Sequence, residues 1–329
     1  MRVTVKQSVA AGARARSITE VLNIDRLRVL HAISHHGSVS AAAAALHVTT
    51  SAVSQQMAKL ERETGQRLLA KNGRGIRLTD AGRLLSEHAD RILSQVELAH
   101  ADLEAQQGRA VGELLIGAFA TAARGLFPQT LAALRAGHPR LAPRLREMEP
   151  EEALRDLARG DIDLAVVLDW YNRPLALPGG LARQPLLDDV ADVAMPAEHP
   201  LARRREVDLE EFADDPWVSW PPGAICHEWL MFTLRSRGVE PRITHTAAEH
   251  HTQLALIAAG LGVAVAPRLG RTPVPAGVAV VPVRQTITRR VYAVWRAGAD
   301  RRPSVAAAVG ALRAAALEVA EEPRGAAAG

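Results

Sequence analysis

Ser51, Ser54, Gln55, Ala58 and Arg62 recur at intervals of three and four within one short stretch, which places them on one face of a helix. They are short or hydrogen-bonding, and a glutamine in that position can pair bidentately with an adenine edge. Such a face suits the major groove of DNA, where polar side chains near a helix N-terminus meet base edges and free N–H groups favour a phosphate. The opposite face, Val53, Met57 and Leu60, is apolar at i, i+4, i+7 and reads as core. Ser38, Thr49, Thr50 and Lys59 complete the polar set. Arg74 stands at the tip of an Asn-Gly turn, in reach of a phosphate backbone or minor groove.

Three helices and a hairpin have to hold that face. Asp25, Ser38 and Thr50 each stand as an N-cap before an apolar-periodic segment, and Gly37 and Gly65 supply the stops. Leu27, Leu30 and Ile33 share a face of the first helix. The second helix is alanine-rich from Ala41 to Leu46, and His47 to Thr49 make the tight turn before the third. After Gly65, strands over 67–71 and 76–78 form a wing around the Asn-Gly turn. The plainer alternative is a small helical bundle that merely has a polar face. Charge separates the two readings: residues 1–83 hold 13 Lys+Arg against 5 Asp+Glu, a net of +8, and the remainder holds 27 against 31, a net of −4. The basic excess lies where nucleic acid would bind.

These residues resemble the LysR-type transcriptional regulators, a bacterial family. The likeness runs from about Leu22 to the last helix. It is most specific at Ser51-Ala52-Val53-Ser54-Gln55-Gln56, Leu60-Glu61, Gly65, Leu68-Leu69 and Gly73-Arg74-Gly75-Ile76-Arg77-Leu78-Thr79-Asp80-Ala81-Gly82. The resemblance implies that Thr50, Ser51, Ser54 and Gln55 touch DNA and that Arg74 lies in the wing. Thr50-Ser51 stands where many members carry Gln-Pro, and Gln55 where many carry Arg, so an operator sequence does not carry over.

From a Thr79 cap a helical pattern continues to Gln107, with Leu85, Ala89, Ile92, Val96, Ala99 and Leu103 alternating by four and three. That is a heptad seam, and Glu87, Asp90, Arg91, Glu97 and Glu104 fall on other faces. A dimerisation helix is preferred to an amphipathic helix packed on its own domain, since two heads on one symmetric interface read two half-sites. Beyond Gly108 the strands 113–117, 143–147, 164–168, 189–195, 217–220, 243–246 and 263–266 alternate with helices over 122–136, 151–159, 228–237 and 252–259. A last helix spans 305–319. A parallel sheet with crossover helices is expected, in two lobes around a cleft. The resemblance adds crossing strands near Leu187-Asp188 and Pro267-Arg268. The expected fold class is therefore α/β with an N-terminal all-α winged helix-turn-helix, a long linker helix and a two-lobed periplasmic-binding-protein-like effector domain. Its domains are an extension over 1–21, the head over 22–79, the linker over 80–108 and the effector-binding body over 112–322.

In open α/β sheets ligands bind beyond the carboxyl ends of the strands. Residues at those ends, and hence expected at an effector, are Ala120, Thr121, Ala122, Glu149, Trp170, Trp220, Glu249 and His250. Thr121 is placed to cap its helix and hold a ligand carboxylate, or to cap alone. Trp170 and Trp220 suit an effector with an apolar or cationic part, although core packing is the stronger reading of each. Glu249 with His250-His251 makes a poor metal site, because adjacent residues at a helix start point about 100° apart. His35-His36 is weaker still, and Arg203 to Arg205 reads as a solvated loop.

No dinucleotide-binding or P-loop glycine signature, no GxSxG and no HExxH occurs, so an enzyme is not expected. A metabolite-binding protein without gene control would explain the lobes but not the basic head. The single cysteine, Cys226, excludes a disulfide framework and a cysteine metal cluster, and reads as a packing residue rather than a sensor thiol. No segment is read as approaching the roughly 20 apolar residues of a membrane helix. Met1 to Glu20 has no apolar core region, which argues against a signal peptide and for the cytoplasm. The stretch before Leu22 is read as a disordered leader or a misassigned start, and the tail from Pro323 as disordered. Expected partners are double-stranded DNA, a small-molecule effector, further copies of the chain as homodimer or homotetramer, and RNA polymerase; no cofactor, metal or membrane is expected.

Overall fold

The computed structural model of the chain describes residues 22–46, 48–72, 75–106, 108–175, 177 and 179–321. The chain divides at Ala89 into two compact units, a head and a body. The expected extension before Leu22, the wing-tip Arg74 and the tail from Pro323 lie outside the described residues.

The head contains α1 (Ile24–His36), α2 (Val39–Ala45), α3 (Thr50–Thr64), the antiparallel strands β1 (Leu69–Asn72) and β2 (Gly75–Leu78), and the start of α4 (Asp80–Gln106). Two caps differ from the sequence expectation. Asn23, not Asp25, caps α1, accepting from the Arg26 amide at 3.2 Å; Asp25 sits in the first turn, where the helix dipole still favours it. Thr49, not Thr50, has the extended backbone of a cap and accepts from the Ala52 amide at 3.1 Å. Ser38 does cap α2, through the Ala41 amide at 3.0 Å. The core is aliphatic: Leu27, Leu30, Ile33, Val53, Met57, Leu60 and Leu68 are all buried. Glu61 accepts the amides of Leu68 and Leu69 at 2.8 and 3.1 Å, fixing where the wing departs from α3. Thr79 then accepts the Gly82 amide at 3.0 Å and donates to the Arg67 carbonyl at 2.7 Å. Glycine is required at position 82, because a Cβ there would run into the Leu68 carbonyl.

The body contains β3 (Gly112–Ala118), α5 (Ala120–Gly125), α6 (Phe127–Gly137), β4 (Leu141–Glu147), α7 (Pro150–Arg159), β5 (Leu164–Trp170), β6 (Leu181–Pro196) and β7 (Pro216–Ser219). There follow α8 (Ile225–Arg235), β8 (Arg242–Thr246), α9 (His250–Ala258), β9 (Ala264–Pro267), β10 (Val278–Val281), β11 (Ile287–Arg296) and α10 (Pro303–Glu321). One sheet runs β10-β6-β11-β5-β3-β4 with β9 also on β6, and β7-β8 form a separate pair. The all-parallel expectation needs correction: β4-β3-β5 and β7-β8 are parallel, whereas β9, β10 and β11 run against their partners. The single helix expected over 122–136 is broken at Leu126, because Pro128 at the start of α6 has no amide to continue the ladder.

Strand β6 belongs to both lobes. Its residues through Asp189 pair only with β11, and Ala191 to Pro196 pair with β9 and β10. The first crossing thus falls at about Val190, two residues past the expected Leu187-Asp188. The second does not lie at Pro267-Arg268, which closes β9 within the second lobe; it lies in β11, a strand absent from the sequence reading, where Ile287 faces Ala191 and Trp295 reaches Leu164 of β5. The β11–β6 register slips at Val291/Tyr292, passing over Leu186, where Pro185 opposite Tyr292 has no amide to give.

Two helices depart from expectation in their surroundings. By length and composition α10 matches a membrane-crossing helix, with a mean hydropathy of 1.3. Yet Val305, Ala308, Leu312, Ala315 and Ala316 are buried in the body's core, so its apolarity has a packing cause. On α4, Leu103 of the expected seam is 64% exposed. Glu97 and Glu104, assigned to other faces, instead anchor the helix: Glu97 accepts Arg296 Nε at 2.7 Å, and Glu104 accepts Arg302 Nε at 3.0 Å and the Ser304 amide at 2.7 Å. Asp163 joins them through Arg302 at 2.6 Å.

Candidate functional site

The head offers an exposed polar face on which two side chains keep no internal bond among the described residues. α3 turns Thr50, Ser51, Ser54, Gln55, Lys59 and Arg62 to solvent, with exposed Thr49 beside them, while Ser38 is half-buried at its cap. The hydroxyls serve the helix locally: Ser54 donates to the Thr50 carbonyl and Thr49 meets Ser51, both at 2.8 Å. Arg62 leans back to the Ala58 carbonyl at 3.3 Å. No hydrogen bond or ion pair with described residues occupies Gln55 or Lys59. Gln56, one residue on, accepts Arg26 Nε at 3.3 Å and serves the core side. A rigid helix thus presents a free amide and a free cation beside a row of short side chains, a surface able to meet base edges and phosphates.

The body gathers its polar groups where the lobes meet, around a residue the sequence reading missed. Arg289 of β11 is 2% exposed; its Nε donates to Asp189 Oδ2 at 2.8 Å and another guanidinium nitrogen donates to the Thr121 hydroxyl at 2.6 Å. The other Asp189 oxygen accepts the Leu269 amide at 2.9 Å. Thr121 therefore does not cap α5. Phe119 holds the cap position, and Thr121 is tied to the second crossing strand instead. The loop after β9 lies so close that a Cβ at Gly270, whose φ is +64°, would strike the Thr121 carbonyl. Arg124 clasps the second lobe, donating to the Gly270 carbonyl at 2.9 Å and to Glu249 Oε1 at 2.7 Å.

Glu249 caps α9 through the Thr252 amide at 2.8 Å. Burial works to raise its pKa, but these amide bonds and neighbouring positive charge outweigh that and hold it below the usual range. His250 follows, 1% exposed; its ring has the Gln253 side chain facing it, but neither nitrogen completes a well-aligned bond among the described residues. Burial, reinforced by the Arg289 charge, lowers its pKa to about 4, so the ring is neutral near pH 7. Gln253, one turn on, gives its NH2 to the Ala247 carbonyl at 2.8 Å and leaves its buried Oε1 without a donor. Trp170, which pairs with Arg289 in the sheet, stacks on Trp229 of α8 with centroids 3.7 Å apart, and its buried indole N–H faces the Cys226 thiol without completing a well-aligned bond.

The structure thus brings Thr121, Trp170, Glu249 and His250 to the interlobe region. Ala122 is fully buried in the core and has no free surface, Ala120 is only the first residue of α5, and Trp220 is packed in the core. Glu149 is half-buried, with its pKa raised by burial and by Glu151, Glu147 and Glu152. Burial pushes the Cys226 thiol up to about 12, which fits its reading as a packing residue. The overlooked residues were Arg289, Asp189, Gln253 and Trp229. A signal existed: Arg289-Arg290 stands directly before the apolar run Val291–Trp295, and alternation sends the two side chains to opposite faces, Arg290 to Asp169 at 2.9 and 3.0 Å.

Residues 24–83 match the family model for the bacterial regulatory helix-turn-helix protein, lysR family, and residues 107–317 match the LysR substrate binding domain. The chain is 31% identical over 250 residues to the HTH-type transcriptional regulator YnfL of Escherichia coli, an alignment covering 75% of this chain and 82% of YnfL. It is 29% identical over 307 residues to the probable HTH-type transcriptional regulator LrrA of Synechococcus elongatus, covering 91% and 99%. Among solved structures, full-length BenM aligns with a TM-score of 0.57 and 24% identity, over 92% of this chain and 100% of BenM. CbnR in complex with its target DNA aligns with a TM-score of 0.52 and 22% identity, over 89% and 100%. The chain belongs to the LysR family of transcriptional regulators, with a DNA-binding helix-turn-helix head and a two-lobed effector-binding body.

Proposed function

We propose that α3 enters the major groove with Ser51, Ser54 and Gln55 at base edges. Ser38, Thr49, Thr50, Lys59, Arg62 and the wing's Arg74 hold the flanking phosphates. The observation that carries this reading is the uncommitted Gln55 and Lys59 on the exposed face of α3. Two copies join through α4 so that two heads read an interrupted palindrome, and dimers pair into tetramers. A small-molecule effector binds between the lobes near Thr121 and His250. Its binding shifts the lobe angle, the packing of subunits and the bend of the DNA, and with them access by RNA polymerase. The protein works in the bacterial cytoplasm, without a cofactor, a metal or a catalytic step of its own.

The test is a footprint on the DNA upstream of the protein's own gene, across a salt series. The expected result is protection of an interrupted palindrome that weakens steeply with salt. Uniform weak protection at every salt would overturn the reading of α3.

A further inference from the structure

We infer that the interlobe site takes a small uncharged molecule that both donates and accepts hydrogen bonds, and that it turns carboxylates away. This rests on the effector reading above and names the class of ligand for that site.

The first ground is charge. Arg289 lies beside Thr121 in the site, but it is committed to Asp189 through two nitrogens, at 2.8 and 2.7 Å, in a pair almost wholly removed from water. Arg124 is likewise bound to Glu249, and Arg268 and Arg271 both grip Asp192. An incoming carboxylate would have to share Arg289 with the Asp189 carboxylate, and a second negative charge in that low-dielectric space is disfavoured.

The second ground is unmet bonding. Buried polar atoms are almost always paired, yet His250, Oε1 of Gln253 and Nε1 of Trp170 complete no well-aligned bond among the described residues: the His250 ring has only the Gln253 side chain facing it, and the Trp170 indole only the Cys226 thiol. His250 and Gln253 lie three residues apart on α9 and so share a face. The neutral His250 ring offers one donor and one acceptor, Gln253 an acceptor and Trp170 a donor. Thr121 accepts from Arg289 and retains its own hydroxyl proton to give. An amide, polyol or similar neutral polar molecule meets this mixed set, whereas an ionised carboxylate is an acceptor only and leaves Gln253 Oε1 unmet.

The experiment uses the full-length chain bound to the DNA upstream of its gene and a small-molecule extract of the cells in which it is native. The extract is passed over an anion-exchange and then a cation-exchange resin at pH 7, and each fraction is assayed for a change in the footprint. The inference expects the activity in the flow-through of both resins. Activity retained on either resin overturns the charge class while leaving an effector in place. No active fraction at all overturns the effector reading, and this inference with it. With the active fraction in hand, Gln253→Leu is expected to raise the amount needed for half-response at least tenfold; an unchanged half-response overturns the placement of the ligand at α9.

Discussion

In the head, the charged and amide side chains offered to a ligand include free, exposed ones, whereas in the body the charged groups are buried and bound to one another. Gln55 and Lys59 have no partner to give up, while Arg289, Asp189 and Thr121 are joined at 2.6 to 2.8 Å in almost complete burial. The difference follows from what each unit meets. A duplex presents a polyanion to the surface, so cations there can stay solvated until contact. A small molecule has to be surrounded, and charges that line its enclosure need internal counter-ions to be there at all.

That contrast can be broken at several points. The largest effect is expected from Arg289→Ala, which strands Asp189 in the interior and should lower the unfolding free energy by about 3–5 kcal/mol, read by urea denaturation. A loss below about 1 kcal/mol would mean that water reaches the pair and the body is not sealed as described. His250 gives a pH test of the same enclosure. Its folded pKa of about 4 lies below the ordinary 6.5, so as pH falls the unfolded chain takes up the proton first. Stability is therefore full above about pH 6.5 and is lost progressively down to about pH 4, by roughly 3 kcal/mol in all. Urea titrations of the wild type and of His250→Gln between pH 7 and 4.5 should show a gentler slope in the variant, and identical slopes would count against a buried neutral ring.

Effects in the head should be smaller and leave folding alone. Gln55→Ala is expected to cost about 1–3 kcal/mol of binding to the specific site, tenfold or more, with an unchanged urea midpoint. Equal weakening on specific and random DNA would show that Gln55 does not read a base. Lys59→Ala should weaken binding on all sequences alike and reduce the slope of log affinity against log salt by about 1; an unaltered slope would remove it from the phosphate contacts.

The same contrast governs how far the sequence could be read. The head was legible because its rules are local: Val53, Met57 and Leu60 at helical spacing, Gly37 and Gly65 as left-handed stops, Ser38 as a cap. Its errors were local too, since Asn23 and Thr49 hold caps assigned to neighbours two and one residues away. In the body, β3 to β5 and α7 followed from alternating patterns, but β10 and β11 did not. The run Ile287–Arg296 mixes four polar residues with apolar ones and resembles no clean strand. The interlobe site was the hardest part. Arg289 meets Asp189 across 100 residues of sequence and Thr121 across 168, and no local spacing rule connects positions so far apart. Thr121, His250 and Glu249 were found because they close strand ends; the arginine that organises them sits inside a strand.

The aliphatic core of the head has a spectroscopic consequence. No phenylalanine, tyrosine or tryptophan precedes Phe119, so every aromatic chromophore of the chain belongs to the body. Tryptophan emission is therefore blind to melting of the head, while far-UV circular dichroism records it in full. If the head melts first, a thermal scan should show an early loss of ellipticity with no change in fluorescence, and the gap between the two curves measures how independently the DNA-reading unit folds.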